Sequence, residues 1–115
     1  MRSPTSAAGA QALSEIDFAR LCRRHGLPEP RRQSVRVDAA GRRRYLDAEW
    51  VRADGRRVVA EVDGAVHLVP RRYWDDMERA NELVLDGRLV LRFAAFAVRA
   101  YPRTVATQLR RALLP

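Results

Sequence analysis

The stretch RRYLDAEWVRADGRRVVAEVD, residues 43–63, carries the reading that decides the fold. Two β-prone segments, Arg43 to Val51 and Arg57 to Asp63, flank Ala53-Asp54-Gly55, the pattern of a hairpin. A two-residue turn at Asp54-Gly55 would set Leu46, Ala48 and Trp50 beside Asp63, Glu61 and Val59, mixing acids into an apolar face. A three-residue loop with Gly55 left-handed sets the same residues against Val62, Ala60 and Val58, one uniformly apolar face. A slip of one residue moves every side chain to the other face, so the apolar pattern outweighs the turn preference. The three-residue loop is expected. On the opposite face Tyr45 then pairs with Asp63, Asp47 with Glu61, and Glu49 with Val59. Opposed β carbons stand about 4.5–5.5 Å apart, so Asp47, Glu61 and Asp63 crowd together.

Working outward, a short strand at about Gln33 to Val37 precedes the hairpin, and Leu89 to Phe93 reads as a fourth strand. Ser14 is a good N-cap, with Asp17 three positions on, and Phe18, Leu21, Cys22 and His25 recur at helical spacing. Gly26 and Pro28 end that helix. Pro70 opens a second helix, with Trp74, Met77, Ala80 and Val84 as its expected buried stripe and Asp86-Gly87 as its stop. Pro102 opens the last helix, whose Val105, Ala106, Leu109, Ala112 and Leu113 share one face. The order is α-β-β-β-α-β-α, a mixed α/β (α+β) domain with a central four-stranded mixed sheet and a C-terminal helix. Residues 1–13, rich in Ser, Ala, Gly and Pro, are expected to be a flexible leader, and residues 14–115 one domain.

Composition narrows the class. A chain of 115 residues, 47% hydrophobic and 31% charged, suits one globular core. Its apolar runs, such as residues 94–98, are far shorter than a membrane span, and no apolar segment of a secretory signal follows Arg2. One cysteine, Cys22, makes no internal disulfide, which fits a reducing cytoplasm. Net charge is +8, carried by 22 arginines and no lysine, and favours a polyanionic partner. Like charges opposed on central strands need a cation or a proton between them. One solution is a divalent ion, Mg²⁺ or Mn²⁺, held by Asp47, Glu61 and Asp63 and acting on a phosphodiester. The other is an ordinary ion-pair network with arginines such as Arg43 and Arg57.

Tyr45-Leu46-Asp47, then Glu61-Val62-Asp63-Gly64 with His67 three positions later, resembles the very-short-patch-repair-like endonuclease domains. These form the group called domain of unknown function 559 within the PD-(D/E)XK nuclease superfamily. Asp76, Arg79, Asn81, Leu83, Gly87, Val90 and Arg92 follow at that group's spacing, and the similarity runs from about Phe18 to Leu113. The resemblance implies a restriction-endonuclease-like αβββαβ core and a metal-dependent DNA endonuclease. Asp47 and Glu61 match the motif's two acids, Asp63 stands where the superfamily often has lysine, and His67 is the candidate for proton transfer. Arg43, Arg44, Arg71, Arg72 and Arg92 are the candidate nucleic-acid contacts. Arg92 alternatively pairs with an acid of the cluster, and Arg79 is expected to pair along its own helix with Asp75 and Asp76. The second function carried forward is a catalytically silent DNA-binding or regulatory, antitoxin-like module. In either case a separate DNA-binding domain or protein, or a second copy of the chain, is a further partner to expect. An RNA-binding domain ranks last, for want of an evident base-stacking aromatic motif.

Overall fold

Alternation of small and β-branched apolar residues with charged ones produces two central strands whose pairing follows the apolar face. In the computed structural model, which describes residues 16–37, 44–63 and 70–114, β2 (Arg44–Val51) and β3 (Arg57–Asp63) are antiparallel. Leu46 faces Val62, Asp47 faces Glu61, Ala48 faces Ala60 and Trp50 faces Val58. The connection is the three-residue one. The Arg52 N–H donates to the Arg56 carbonyl at 2.8 Å, and Gly55 has φ +87°. Only glycine adopts that conformation without steric cost, so Gly55 lets the connection that the apolar register demands close. The Arg52 guanidinium pairs with Asp54 and donates to the Ala112 carbonyl at 3.0 Å, tying the turn to the last helix. That contact, with the Arg56 N–H, holds the Asp54 carboxyl down to about 2.

β1 (Arg32–Val37) adds antiparallel to β2, and β4 (Leu89–Ala94) adds parallel to β3. The sheet order is β1-β2-β3-β4, a mixed four-stranded sheet with helices packed on it. The α/β architecture expected from the sequence is the one observed. One face is the core. Leu46, Ala48, Trp50, Val58, Ala60 and Val62 are each at most 3% exposed. Helix α1, over residues 16–24, lays Phe18, Leu21 and Cys22 on this face, with the Phe18 and Trp50 rings 6.0 Å apart. Trp50 satisfies its indole N–H on the Pro28 carbonyl at 2.9 Å. Burial pushes the Cys22 thiol up to about 11, so it acts as an apolar filler. Helix α4 (Pro102–Leu113) completes the core with the five residues its periodicity marked.

Two features differ from expectation. Between β4 and α4 lies a further short helix, α3 (Ala95–Ala100). Six residues are too few for a helical period to register, and Ala94 to Val98 read only as an apolar run. The second is the orientation of α2 (Pro70–Leu85). Its expected buried stripe points outward, with Trp74 and Val84 more than half exposed and Met77 at 38%. The side nearer the sheet carries Asp76, Arg79 and Leu83. The physical reason lies beneath the helix, where the sheet surface is charged. Covering it with tryptophan and methionine would strand carboxylates in an apolar layer at a cost of several kcal/mol, on the order of 3–5. The leader, Ser14 of the expected N-cap and the final Pro115 lie outside the described residues. Among the described residues no helix is long and apolar enough to cross a membrane.

This packing separates two substitutions. Leu109→Ala, at a site fully removed from solvent, is expected to cost about 2–5 kcal/mol in urea unfolding. Trp74→Ser should stay within about 0.5 kcal/mol of the parent protein. A Trp74 variant as damaging as the Leu109 one would place the α2 stripe in the core after all.

Candidate functional site

The charged face of the sheet is built by the same alternation that builds the core. Because Leu46, Ala48, Val62 and Ala60 point one way, Asp47, Glu49 and Glu61 point the other, under α2. Among the described residues Glu61 is the one buried charged group, at 4% exposure. A carboxylate that deep must be met by cations, and two arginines meet it. Arg79, on α2, places Nη1 2.5 Å from Glu61 Oε2 and Nη2 3.2 Å from Asp47 Oδ2. Arg92, register partner of Glu61 on β4, places Nε 3.1 Å from Glu61 Oε1. The other end of Arg92 lies 3.7 Å from Asp76 Oδ2, which joins α2 to the network a second time.

A second group of pairs lies toward the far end of α2. Gly87 at φ +87° closes the helix in a Schellman arrangement, its N–H on the Val84 carbonyl and the Arg88 N–H on the Leu83 carbonyl. The reversal brings Arg88 Nε within 3.4 Å of Glu49 Oε2, and Asp86 is shared by Arg88 and Arg57. Between the two groups a cavity of about 200 Å³ opens, lined among others by Arg32, Ser34, Asp47, Glu49, Arg79 and Arg88. Arg32 and Ser34 reach it because β1 sets them opposite Glu49 and Asp47.

The sequence-predicted acids therefore stand as follows. Asp47 and Glu61 are direct cross-strand partners, and Asp63 is two residues beyond Glu61, opposite Tyr45. Arg92 belongs to the site, engaged with Glu61 and Asp76. His67 and Arg43 lie outside the described residues, as do the side chains of Arg44, Arg71 and Arg72. Arg57, expected among the neutralising arginines, pairs with Asp86 instead. Sequence reasoning missed Arg79 as the central cation, because its two helical neighbours, Asp75 and Asp76, offered a nearer explanation. The signal was present in the register itself, since two opposed acids on central strands require a cation from whichever element covers them.

A divalent ion would find suitable hard oxygens on Asp47 and Glu61. In this arrangement a guanidinium stands between them. The Arg79 guanidinium bridges one oxygen of each, and Arg92 holds the remaining oxygen of Glu61. Among the described residues no group of three or more His, Cys, Asp or Glu is disposed to hold a metal ion. Compared with family models, with curated proteins and with solved structures, the chain has no match.

The bridge makes a quantitative prediction. A double-mutant cycle on Arg79→Ala and Glu61→Gln should return a coupling of about 1–3 kcal/mol, read from urea unfolding of the four proteins. Additive effects would mean that Arg79 is merely a solvated arginine near the acid.

Proposed function

We propose that this chain is a nucleic-acid-binding module built on a nuclease-like fold, with its central carboxylates held by arginine rather than used for hydrolysis. The observation that carries this reading is the Arg79 guanidinium bridging Asp47 and Glu61, with Arg92 on the second Glu61 oxygen. Releasing a buried carboxylate from such a partner costs about 3–5 kcal/mol, which a metal ion would have to offset before any chemistry began. The net charge of +8 supports a polyanionic partner. The cavity beside the network has the chemistry to seat a backbone phosphate. Arg32 and Ser34 stand on its β1 wall, opposite Arg79 and Arg88 with the carboxylates they pair, Asp47 and Glu49, and a phosphate contact from Arg32 and Ser34 would position a strand without reading its sequence. Sequence recognition would then come from a separate DNA-binding domain or protein. A regulatory role of the antitoxin kind belongs to this reading.

The second reading is a Mg²⁺- or Mn²⁺-dependent DNA endonuclease. Two features favour it, the direct pairing of Asp47 with Glu61 and the likeness of the surrounding motifs to very-short-patch-repair-like domains. It requires Arg79 to leave the position it occupies between the two acids.

Incubation of the protein with supercoiled plasmid and Mg²⁺ or Mn²⁺ separates them. The expected result is no nicking above an EDTA control, together with duplex binding in a mobility-shift assay. That binding should weaken steadily as salt is raised from about 50 to about 200 mM. Metal-dependent nicking that disappears in Glu61→Gln would overturn the proposal in favour of the endonuclease. Absence of both nicking and duplex binding would remove nucleic acid from this face altogether.

A further inference from the structure

On the α1 and α4 side of the sheet, away from the carboxylate network, a second cavity of about 150 Å³ lies among α1, α3 and the start of α4. Arg20, Arg24, His25 and Arg99 line it. Arg20 and Arg24 are one helical turn apart, so both guanidiniums project from the same face of α1. Asp17 is the one carboxylate among the described lining residues, and it already lies 3.3 Å from Arg99 Nε. Setting that pair aside, the cavity keeps the charge of Arg20 and Arg24. The position of α1 is fixed at this end by Arg110, which donates to the His25 carbonyl at 2.7 Å. The pocket therefore gathers cations on a helix whose end is fixed, an arrangement that suits an anion with several oxygens.

Helix α3, which carries the lining residues Val98 and Arg99, and the residue that follows it add a different chemistry. Phe96 and Tyr101 are each 58% exposed, and their rings meet edge to face at a centroid separation of 6.1 Å. Phe96 shares a face of α3 with Arg99, three residues on, while Val98 turns into the core. Two aromatic rings left in water, close in sequence to residues that line a basic pocket, have an obvious complement. A nucleobase has a flat π surface, carries a phosphate within one sugar of it, and in a single strand is free to leave its neighbours. In a duplex the base faces are stacked and out of reach. An acidic peptide would satisfy the arginines but gives the exposed rings no flat partner.

From this juxtaposition we propose that the α1–α3–α4 pocket binds a nucleotide unit of single-stranded nucleic acid, with its phosphate at Arg20, Arg24 and His25 and its base against Phe96 and Tyr101. The site extends the nucleic-acid reading to a second face and uses none of the residues of the carboxylate network. The two proposals can therefore fail separately.

Fluorescence anisotropy with a labelled ten-residue oligothymidylate, and with a duplex of equal length, tests it. The parent protein is expected to bind the single strand more tightly than the duplex. Phe96→Ala should weaken single-strand binding about tenfold while duplex binding holds, and Phe96→Trp should restore it. The double variant Arg20→Ala/Arg24→Ala should weaken it and make the salt dependence shallower by roughly two phosphate contacts. Arg56→Ala, on the distant hairpin turn, should bind as the parent does. All of these positions lie at the surface, and unchanged thermal melts would exclude unfolding as the cause. The proposal is overturned if Phe96→Ala and the double arginine variant both bind the single strand within twofold of the parent. It is equally overturned if an oligoglutamate peptide displaces the strand at comparable concentration, which would make the pocket an acidic-peptide site.

Discussion

Glu61 is a carboxylate almost removed from water at the centre of a sheet, and it is stable there because Arg79 and Arg92 each take one of its oxygens. Much of the remaining architecture answers to that requirement. Arg79 must come from an element crossing above β2 and β3, so α2 lies with its arginine-bearing side down. Asp76, one turn earlier, then meets the far end of Arg92. The consequence for the outer surface is direct. Trp74, Met77 and Val84, an apolar stripe by spacing, are carried to the solvent side. A buried ion pair is weak evidence for stability, yet losing one partner of it is costly. Such a network therefore specifies an orientation more than it adds stability.

The parts of the fold legible in the sequence are those where one physical rule acts alone. Period-two alternation in Leu46, Ala48 and Trp50 against Val58, Ala60 and Val62 decided both the register and the three-residue turn, and with them the cross-strand pairing of Asp47 with Glu61. The α4 stripe was legible because its partner is the apolar face. The α2 stripe was misleading because helical periodicity reports which residues share a side, and says nothing of whether the surface beneath is apolar or charged. Helix α3 was too short to show a period. Its exposed aromatic pair escaped notice because Phe96 and Tyr101 come together only when α3 ends and α4 begins.

The candidate site was half legible in the same sense. Opposed carboxylates announced that a cation belongs among them, and the arginine that reaches both is distant in sequence. Arg79 lies 18 positions from Glu61 and 32 from Asp47. No local pattern ties them together. A planar guanidinium offers five donors in a fixed fork, which lets Arg79 bridge two carboxylates where a lysine ammonium would act as a single point charge. In a chain with 22 arginines and no lysine, that geometry is available wherever acids gather. The sheet thus presents two unlike surfaces. One is a carboxylate face closed by arginines, and the other is an apolar face covered by α1 and α4, with a basic pocket at their margin.

The whole arrangement turns on the Arg79 guanidinium standing between Asp47 and Glu61, where a metal ion would otherwise sit. Crystals of the protein soaked in MnCl₂ and recorded at a wavelength where manganese scatters anomalously test it most directly. No anomalous peak is expected between the two carboxylates, with the Arg79 side chain bridging them in the electron density. A manganese peak coordinated by Asp47 and Glu61, with Arg79 swung away, would contradict it.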